Sequence, residues 1–318
     1  MDGYPILVGY DGSAGSRVAL RWALEDGARR GLAVRLMHIV EFPWRVPPHS
    51  AMAADTVGAH LSNEAESVLG KVAAEAAAVA PAGVEVTSTV LAGPVSGTLC
   101  EESGRASMVV LGRRGLGGIV GLPVGSVSVA VATQARCPVV VVRDDVPPSP
   151  NSPIVVGVEE SGDARLAVGF AFEEAVARGA ALVAVRAWTP PSSPWRSDRW
   201  PLDLDTDEVE LAERNLASQM LRDGCERYPA VEVSVRTVSA TFAHALEIAS
   251  RDAQLLVVGC RGRGGFHGQL LGSVSLQVLH HARCPVAVVR HCVTRPRWSV
   301  PQRRHTTTDN EHRPSQPA

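Results

Sequence analysis

The sequence predicts an α/β chain of two tandem doubly wound domains, each built on a five-stranded parallel sheet. Three observations predict it: the chain repeats itself once, strand and helix signals alternate within each repeat, and the composition is globular. Hydrophobic residues make up 45% and charged residues 20% of the 318 residues, ample apolar material for a core and too much for a disordered chain. Aromatics are only 4%, a palette that suits α/β layers better than an aromatic-rich β-sandwich. At roughly 150 residues per domain, the length alone points to two domains.

The repeat is direct. Arg114–Arg143 aligns with Arg261–Arg290 at a constant offset of 147, with 18 of 30 positions identical. The openings of the two halves align at an offset of 148, so that Ile6–Ser13 (ILVGYDGS) faces Ile154–Ser161 (IVVGVEES). Ala19, Ala23 and Gly31 then face Ala167, Ala171 and Gly179. Units this long are tandem domains and not solenoid repeats. Domain one is placed at 1–143 and domain two at 154–291. Residues 144–153 carry four prolines without apolar periodicity and read as a linker. Residues 292–318, rich in Arg, His, Thr and Pro, lack a core pattern and read as a flexible tail.

Each element has its own signal. Pro5–Tyr10 is a short apolar run, as a strand covered on both faces should be. Ser13 or Ser16 can cap the helix that follows, which carries Ala19, Leu20, Ala23 and Leu24 and stops at Gly31. A second strand spans Ala33–Val40. A loop with Pro43, Pro47 and Pro48 leads to a long helix over about 56–80. A third strand (84–91), a short helix (95–103), a fourth strand (107–111), a helix (125–135) and a fifth strand (138–142) complete the domain. Domain two repeats the strands near 154–158, 181–187, 231–238, 254–258 and 285–289. Alternating β and α elements imply parallel strands joined by right-handed crossovers. Five such strands fit the Rossmann-like order 3-2-1-4-5, in which strands one and four are neighbours. Ligands of such sheets bind beyond the carboxyl ends of the strands, at that switch point.

The two loops that meet there hold the most distinctive local sequence. Domain one reads Gly112-x2-Gly115-x9-Gly125-Ser126, and domain two reads Gly259-x2-Gly262-x9-Gly272-Ser273. Glycines let a backbone approach a ligand closely, and their exposed N–H groups form anion-binding nests. Gly125 and Gly272 each open a helix, whose free N–H groups and dipole favour a phosphate. Ser126 and Ser128, or Ser273 and Ser275, can add hydroxyl donors, and Arg113, Arg114, Arg261 and Arg263 can add charge at the rim. Asp11 can accept from ribose hydroxyls or hold a divalent cation. Together these point to a nucleotide, with phosphates on the loop and the base near Val40 at the end of strand two.

This pattern resembles the universal stress protein family, in its nucleotide-binding branch. The family motif G-x2-G-x9-G-(S/T) is matched in full by both halves, and the opening VGYDGS resembles the family's first strand and acidic loop. The resemblance covers about 4–143 and 153–291. With the Trp195–Trp200 segment, the tandem arrangement is similar to actinobacterial two-domain members. It implies ATP binding, with or without Mg²⁺, and a role in stress or dormancy physiology. The contact positions it implies are Asp11, Gly12, Val40, Gly112, Gly115, Gly125, Ser126, Val127 and Ser128 in domain one. In domain two they are Glu159, Gly259, Gly262, Gly272, Ser273, Val274 and Ser275. It also implies that the two domains pair within the chain through their last strands, Pro138–Val142 and Pro285–Val289, with homodimerisation through the same strands. One departure stands out: Glu159 replaces the family's Asp, and Glu160 replaces the following Gly. A longer side chain, a lost glycine and a second carboxylate imply weaker binding in domain two.

Other classes are set aside on composition. With 31 basic against 33 acidic residues, the net charge of −2 argues against nucleic-acid binding. No apolar run reaches the ~18 residues a membrane span needs, and an acid follows Met1 where a signal peptide is positive. The six cysteines, Cys100, Cys137, Cys225, Cys260, Cys284 and Cys292, form no CxxC pair, so a cytoplasmic chain with reduced thiols is expected. Cys137 and Cys284 read as buried packing residues, and Cys260, inside the second glycine loop, as a candidate reactive thiol. His280, His281, Cys284, His291 and Cys292 match no zinc spacing, and no metal site is expected. No paired general acid and base stands beside the glycine loops, so a regulator is expected and not an enzyme. The alternatives are a nucleotide-hydrolysing or adenylyl-transferring enzyme of the same α/β group, or an AMP- or cyclic-AMP-binding scaffold.

Overall fold

The computed structural model describes residues 3–41, 51–117, 123–143, 149, 151–189, 206–262 and 271–290. The Pro43–Pro48 loop, most of the linker, Arg263, the Trp195–Trp200 segment, His291 and the 292–318 tail lie outside the described residues.

Domain one runs β1 (Ile6–Gly9), α1 (Ala14–Arg30), β2 (Val34–Val40), α2 (Ala51–Val79), β3 (Val86–Ala92), α3 (Val95–Glu102), β4 (Met108–Gly112), α4 (Ser126–Gln134) and β5 (Val139–Val142). Domain two repeats the series with β6 (Ile154–Gly157), α5 (Gly162–Arg178), β7 (Leu182–Trp188), α6 (Thr206–Arg227), β8 (Val233–Ser239), α7 (Phe242–Ala249), β9 (Leu255–Gly259), α8 (Ser273–His281) and β10 (Val286–Val289). Local chemistry sets the helix ends. The Ser13 hydroxyl accepts from the Ser16 N–H at 3.1 Å, and Gly31 closes α1 in the left-handed conformation at φ 66°. Ser161 and Gly179 do the same for α5. α2 begins at Ala51, earlier than the predicted 56, because Ala51-Met52-Ala53-Ala54 is itself strongly helix-forming.

The ten strands among the described residues join one sheet of order β3-β2-β1-β4-β5-β10-β9-β6-β7-β8. Each half thus has the predicted 3-2-1-4-5 order, and its internal pairs are parallel. Alternate side chains feed opposite faces. Ile6 and Val8 lie in the core on one face, to which α1, α2, α5 and α6 contribute Leu20, Leu69, Phe170 and Leu221. Leu7 lies in the core on the other face, where α3, α4, α7 and α8 contribute Leu99, Val131, Leu246 and Leu279. Both cores run without interruption through the two domains, which is why the central strands are near-continuous apolar runs.

The domains join where β5 meets β10 antiparallel, with Val141 opposite Val286, Val140 opposite Ala287 and Val139 opposite Val288. Their outer edges are taken by β4 and β9. Both edges of each last strand are therefore filled, so these strands offer no edge for homodimerisation. This corrects the expectation of a homodimer through them, while the expected pairing within the chain is present. A second joint lies between α1 and α5, where Asp26 and Arg30 meet Glu174 and Arg178 in a buried cluster of four charges. No helix among the described residues is long and apolar enough to cross a membrane.

Candidate functional site

Because β1 and β4 are neighbours, their carboxyl ends and the loops that leave them enclose a cavity of about 390 Å³. Of the predicted residues, Asp11, Gly112, Gly115, Gly125, Ser126, Val127 and Ser128 line it. Gly12 and Val40 do not. Gly12 shapes the turn with φ +82°, a left-handed conformation that favours glycine. Val40 is absent from the lining, although its neighbours His38, Ile39 and Glu41 are in it, and its carbonyl accepts from Gly93 N–H.

Asp11 ties the two loops together. One carboxylate oxygen accepts from Ser13 N–H at 3.0 Å and the other from Leu116 N–H at 2.9 Å. Partial burial works to raise its pKa, but the hydrogen bonds from Ser13, Leu116 and Ser16 outweigh it and hold the carboxyl below its ordinary value. The acid is therefore a carboxylate at neutral pH, and its spare lone pairs can take hydroxyl donors or a cation. A Cβ at Gly115 would stand 2.4 Å from Asp11 Oδ2, so any larger residue there would displace the carboxylate. Gly112 is required by backbone: a Cβ would stand 2.4 Å from the Gly15 carbonyl carbon.

One wall of the cavity is the start of α4. Gly125, its N-cap, makes no side-chain cap, so among the described residues no capping side chain takes the first-turn N–H groups of the helix. Gly125 N–H itself donates to Arg113 O at 2.8 Å, which folds the glycine loop back onto the helix start. Ser126 and Ser128 both line the cavity, but the Ser128 hydroxyl donates to Gly112 O at 2.9 Å. Ser128 thus braces the end of β4, and Ser275 does the same for Gly259 O at 2.7 Å. Both serines depart from the role of phosphate donor expected of them. Arg114 stands exposed at the rim.

The β2 side of the cavity holds a residue that sequence reasoning missed. His38, half-buried on β2, lines the cavity, and its Nδ1 lies 2.8 Å from Tyr10 O. A carbonyl only accepts, so Nδ1 carries the proton and a neutral ring keeps Nε2 as an acceptor. The available signal was a histidine two residues before Val40, at the carboxyl end of a strand.

Domain two presents the same loops with different wiring. The carboxylate of Glu159 lies against Gly262, where a Cβ would stand 2.7 Å from Oε1. Its partner is the Ser161 hydroxyl at 3.1 Å, and Ser161 N–H turns instead to the Glu159 backbone carbonyl. Gly259 backs onto Asp163, Gly272 caps α8 without a side-chain bond, Ser273 and Val274 form the first turn, and Ser275 is buried. Arg261 reaches Asp163 at 3.4 Å.

The sequence model of the Universal stress protein family matches residues 4–143 and 150–290. The chain belongs to the universal stress protein family. A universal stress protein of Mycobacterium tuberculosis (strain H37Rv) is 36% identical over 301 residues, covering 91% of this chain and 97% of the relative. One from Mycobacterium bovis is 37% identical over 294 residues, covering 90% and 96%. The solved structure of a universal stress protein from Archaeoglobus fulgidus DSM 4304 aligns with a TM-score of 0.66 at 22% identity, over 91% of this chain and 99% of that one. That likeness speaks to the fold.

In this universal stress protein Cys137, Cys260 and Cys284 are buried. Cys260, expected to be activated by its loop, is fully buried, and burial pushes its pKa up despite the arginines nearby. Burial pushes the Cys284 thiol up to about 12. Among the described residues, no three His, Cys, Asp or Glu side chains gather as a metal site.

Proposed function

We propose that the chain binds an adenine nucleotide, ATP with or without Mg²⁺, in the domain-one cavity and acts as a nucleotide-dependent regulator of the stress or dormancy response. The observation that carries this reading is the uncapped N-terminus of α4 facing a glycine loop that Asp11 locks in place. Free helix N–H groups and loop amides take the phosphates, while His38 Nε2 accepts from an exocyclic amino group, which adenine has at its 6-position and guanine lacks there. Asp11 is the group that would hold a ribose hydroxyl or a phosphate-bound cation. The cradle offers positioning donors and no paired acid and base, so the reading is a binder that acts through shape and not an enzyme. Pairing of membership in this family with a cytoplasmic address belongs to the same proposal.

The test is mass spectrometry of the ligand released from purified protein, with calorimetry against ATP, AMP, cyclic AMP and GTP. ATP should be recovered or should bind more tightly than GTP by at least tenfold. Absence of any adenine nucleotide, together with no heat on adding ATP and Mg²⁺, would refute the reading.

A further inference from the structure

Resting on the nucleotide reading of domain one, we infer that the chain holds one nucleotide and not two, because domain two has closed its own cradle with charged side chains. The alignment of the halves makes the comparison residue by residue. Between Asp11 and Gly15 domain one has one carboxylate; the matching stretch Glu159–Asp163 has three, on Glu159, Glu160 and Asp163. Phosphates approaching the second glycine loop meet this added negative charge at close range.

The phosphate side is occupied first. Asp163 stands in the place of Gly15 and is buried against the loop, its Cβ only 3.2 Å from where a Gly259 Cβ would be. Its carboxylate takes Arg261 at 3.4 Å. Arg261 is the counterpart of Arg114, the rim cation of domain one, so in domain two that cation already faces an internal anion. The turn is also different. Glu160 stands at the place of Gly12, whose φ of +82° no non-glycine residue adopts among the described residues. The loop therefore turns on Ser161 N–H to Glu159 O, and Glu159 is released from the bond that Asp11 makes with the corresponding N–H.

The base side is closed by a long side chain. Arg186 on β7 is the counterpart of His38 and is 1% exposed. It pairs with Glu160 at 3.0 Å and with Glu213 of α6. His38 offers an acceptor to a base; a guanidinium offers only donors and cannot take the proton of an exocyclic amine. The lock and the altered turn share Glu160, so a single residue both removes the glycine turn and holds Arg186. Domain two then serves the sheet and the domain joint, while domain one carries the ligand.

Native mass spectrometry of the full chain with Mg²⁺ and ATP reads the count directly. One nucleotide per chain is expected, and Asp11→Ala should bring the count to zero at concentrations that saturate the parent. Grafting the domain-one residues, as Glu159→Asp, Glu160→Gly, Asp163→Gly and Arg186→His together, should raise the count to two. Two nucleotides bound to the parent chain with affinities within tenfold of each other would overturn the inference while leaving the domain-one reading intact. So would one nucleotide that persists in Asp11→Ala. No nucleotide on the parent at millimolar ATP would overturn the reading and the inference together. The parent count and the Asp11→Ala count decide the matter even if the fourfold variant does not fold.

Discussion

Arg30 of domain one and Glu174 of domain two form an ion pair at 2.5 Å with both side chains sealed from solvent. The pair is half of a pseudo-twofold cluster. Arg30 also meets Asp26 at 2.9 Å, and Arg178 meets Asp26 and Glu174, each at 2.8 Å. The offset of 148 relates Asp26 to Glu174 and Arg30 to Arg178. It also relates Trp22 to Phe170, the rings under Arg178 and Arg30 at 5.1 and 5.5 Å. Burial works to raise the pKa of Glu174, but the two arginines hold it down, so it stays ionised.

This cluster should behave as a unit. Arg30→Met leaves buried carboxylates uncompensated and should lower stability by about 3–5 kcal/mol. Replacing Asp26, Arg30, Glu174 and Arg178 together by Leu or Met should be neutral or stabilising by about 1–4 kcal/mol. Urea unfolding of both variants checks this; an additive fourfold loss would contradict it.

Glu173 sits beside the cluster, 4% exposed, and burial pushes its carboxyl up from 4.5 to about 7. Its folded-state pKa is raised, so its contribution is present in full below about pH 4.5 and disappears as pH rises through 7. The change is on the order of 3 kcal/mol. Glu173→Gln should therefore stabilise the chain at pH 8 relative to the parent and flatten stability between pH 5 and 8, as read from urea midpoints at both pH values.

The two motif glycines separate affinity from stability. Gly115→Ala pushes on the Asp11 carboxylate, so ATP affinity should fall about tenfold to a hundredfold, the loss of a hydrogen bond to a charged group. Gly112→Ala pushes on the Gly15 backbone, which cannot rotate away, and should lower stability by about 1–3 kcal/mol. Calorimetric titration and thermal melts of each variant should show these opposite signatures.

Thiol labelling should follow burial. Among the described cysteines, Cys225 is exposed, while Cys137, Cys260 and Cys284 are buried. Peptide mapping after iodoacetamide at pH 8 should find Cys225 modified well before those three. Fast labelling of Cys260 would show that its loop opens.

Strand periodicity, the Ser13 and Gly31 caps and the spacing of Gly112, Gly115 and Gly125 are local signals, and the elements they predict are where they were expected. The sequence reading starts α2 too late, although Ser50, a residue type favoured at a helix N-cap, stands directly before Ala51. Asp11 was legible as an acid at a strand end, but its bond to Leu116, 105 residues away, was not. His38 and Arg186 looked like ordinary strand residues, since nothing local says which polar strand residue faces a cavity.

The sequence by itself determined two copies of one fold, their strand order and the two glycine loops, because repeats, caps and turns act over a few residues. The tertiary structure alone decided what became of the charges. Asp26 and Arg30 have the i, i+4 spacing of a solvated helix face, yet α5 covers them. Glu160 and Arg186 look like two unrelated surface residues until β6 and β7 lie side by side. Burial and pairing depend on which distant element arrives, and that is a property of the packed chain.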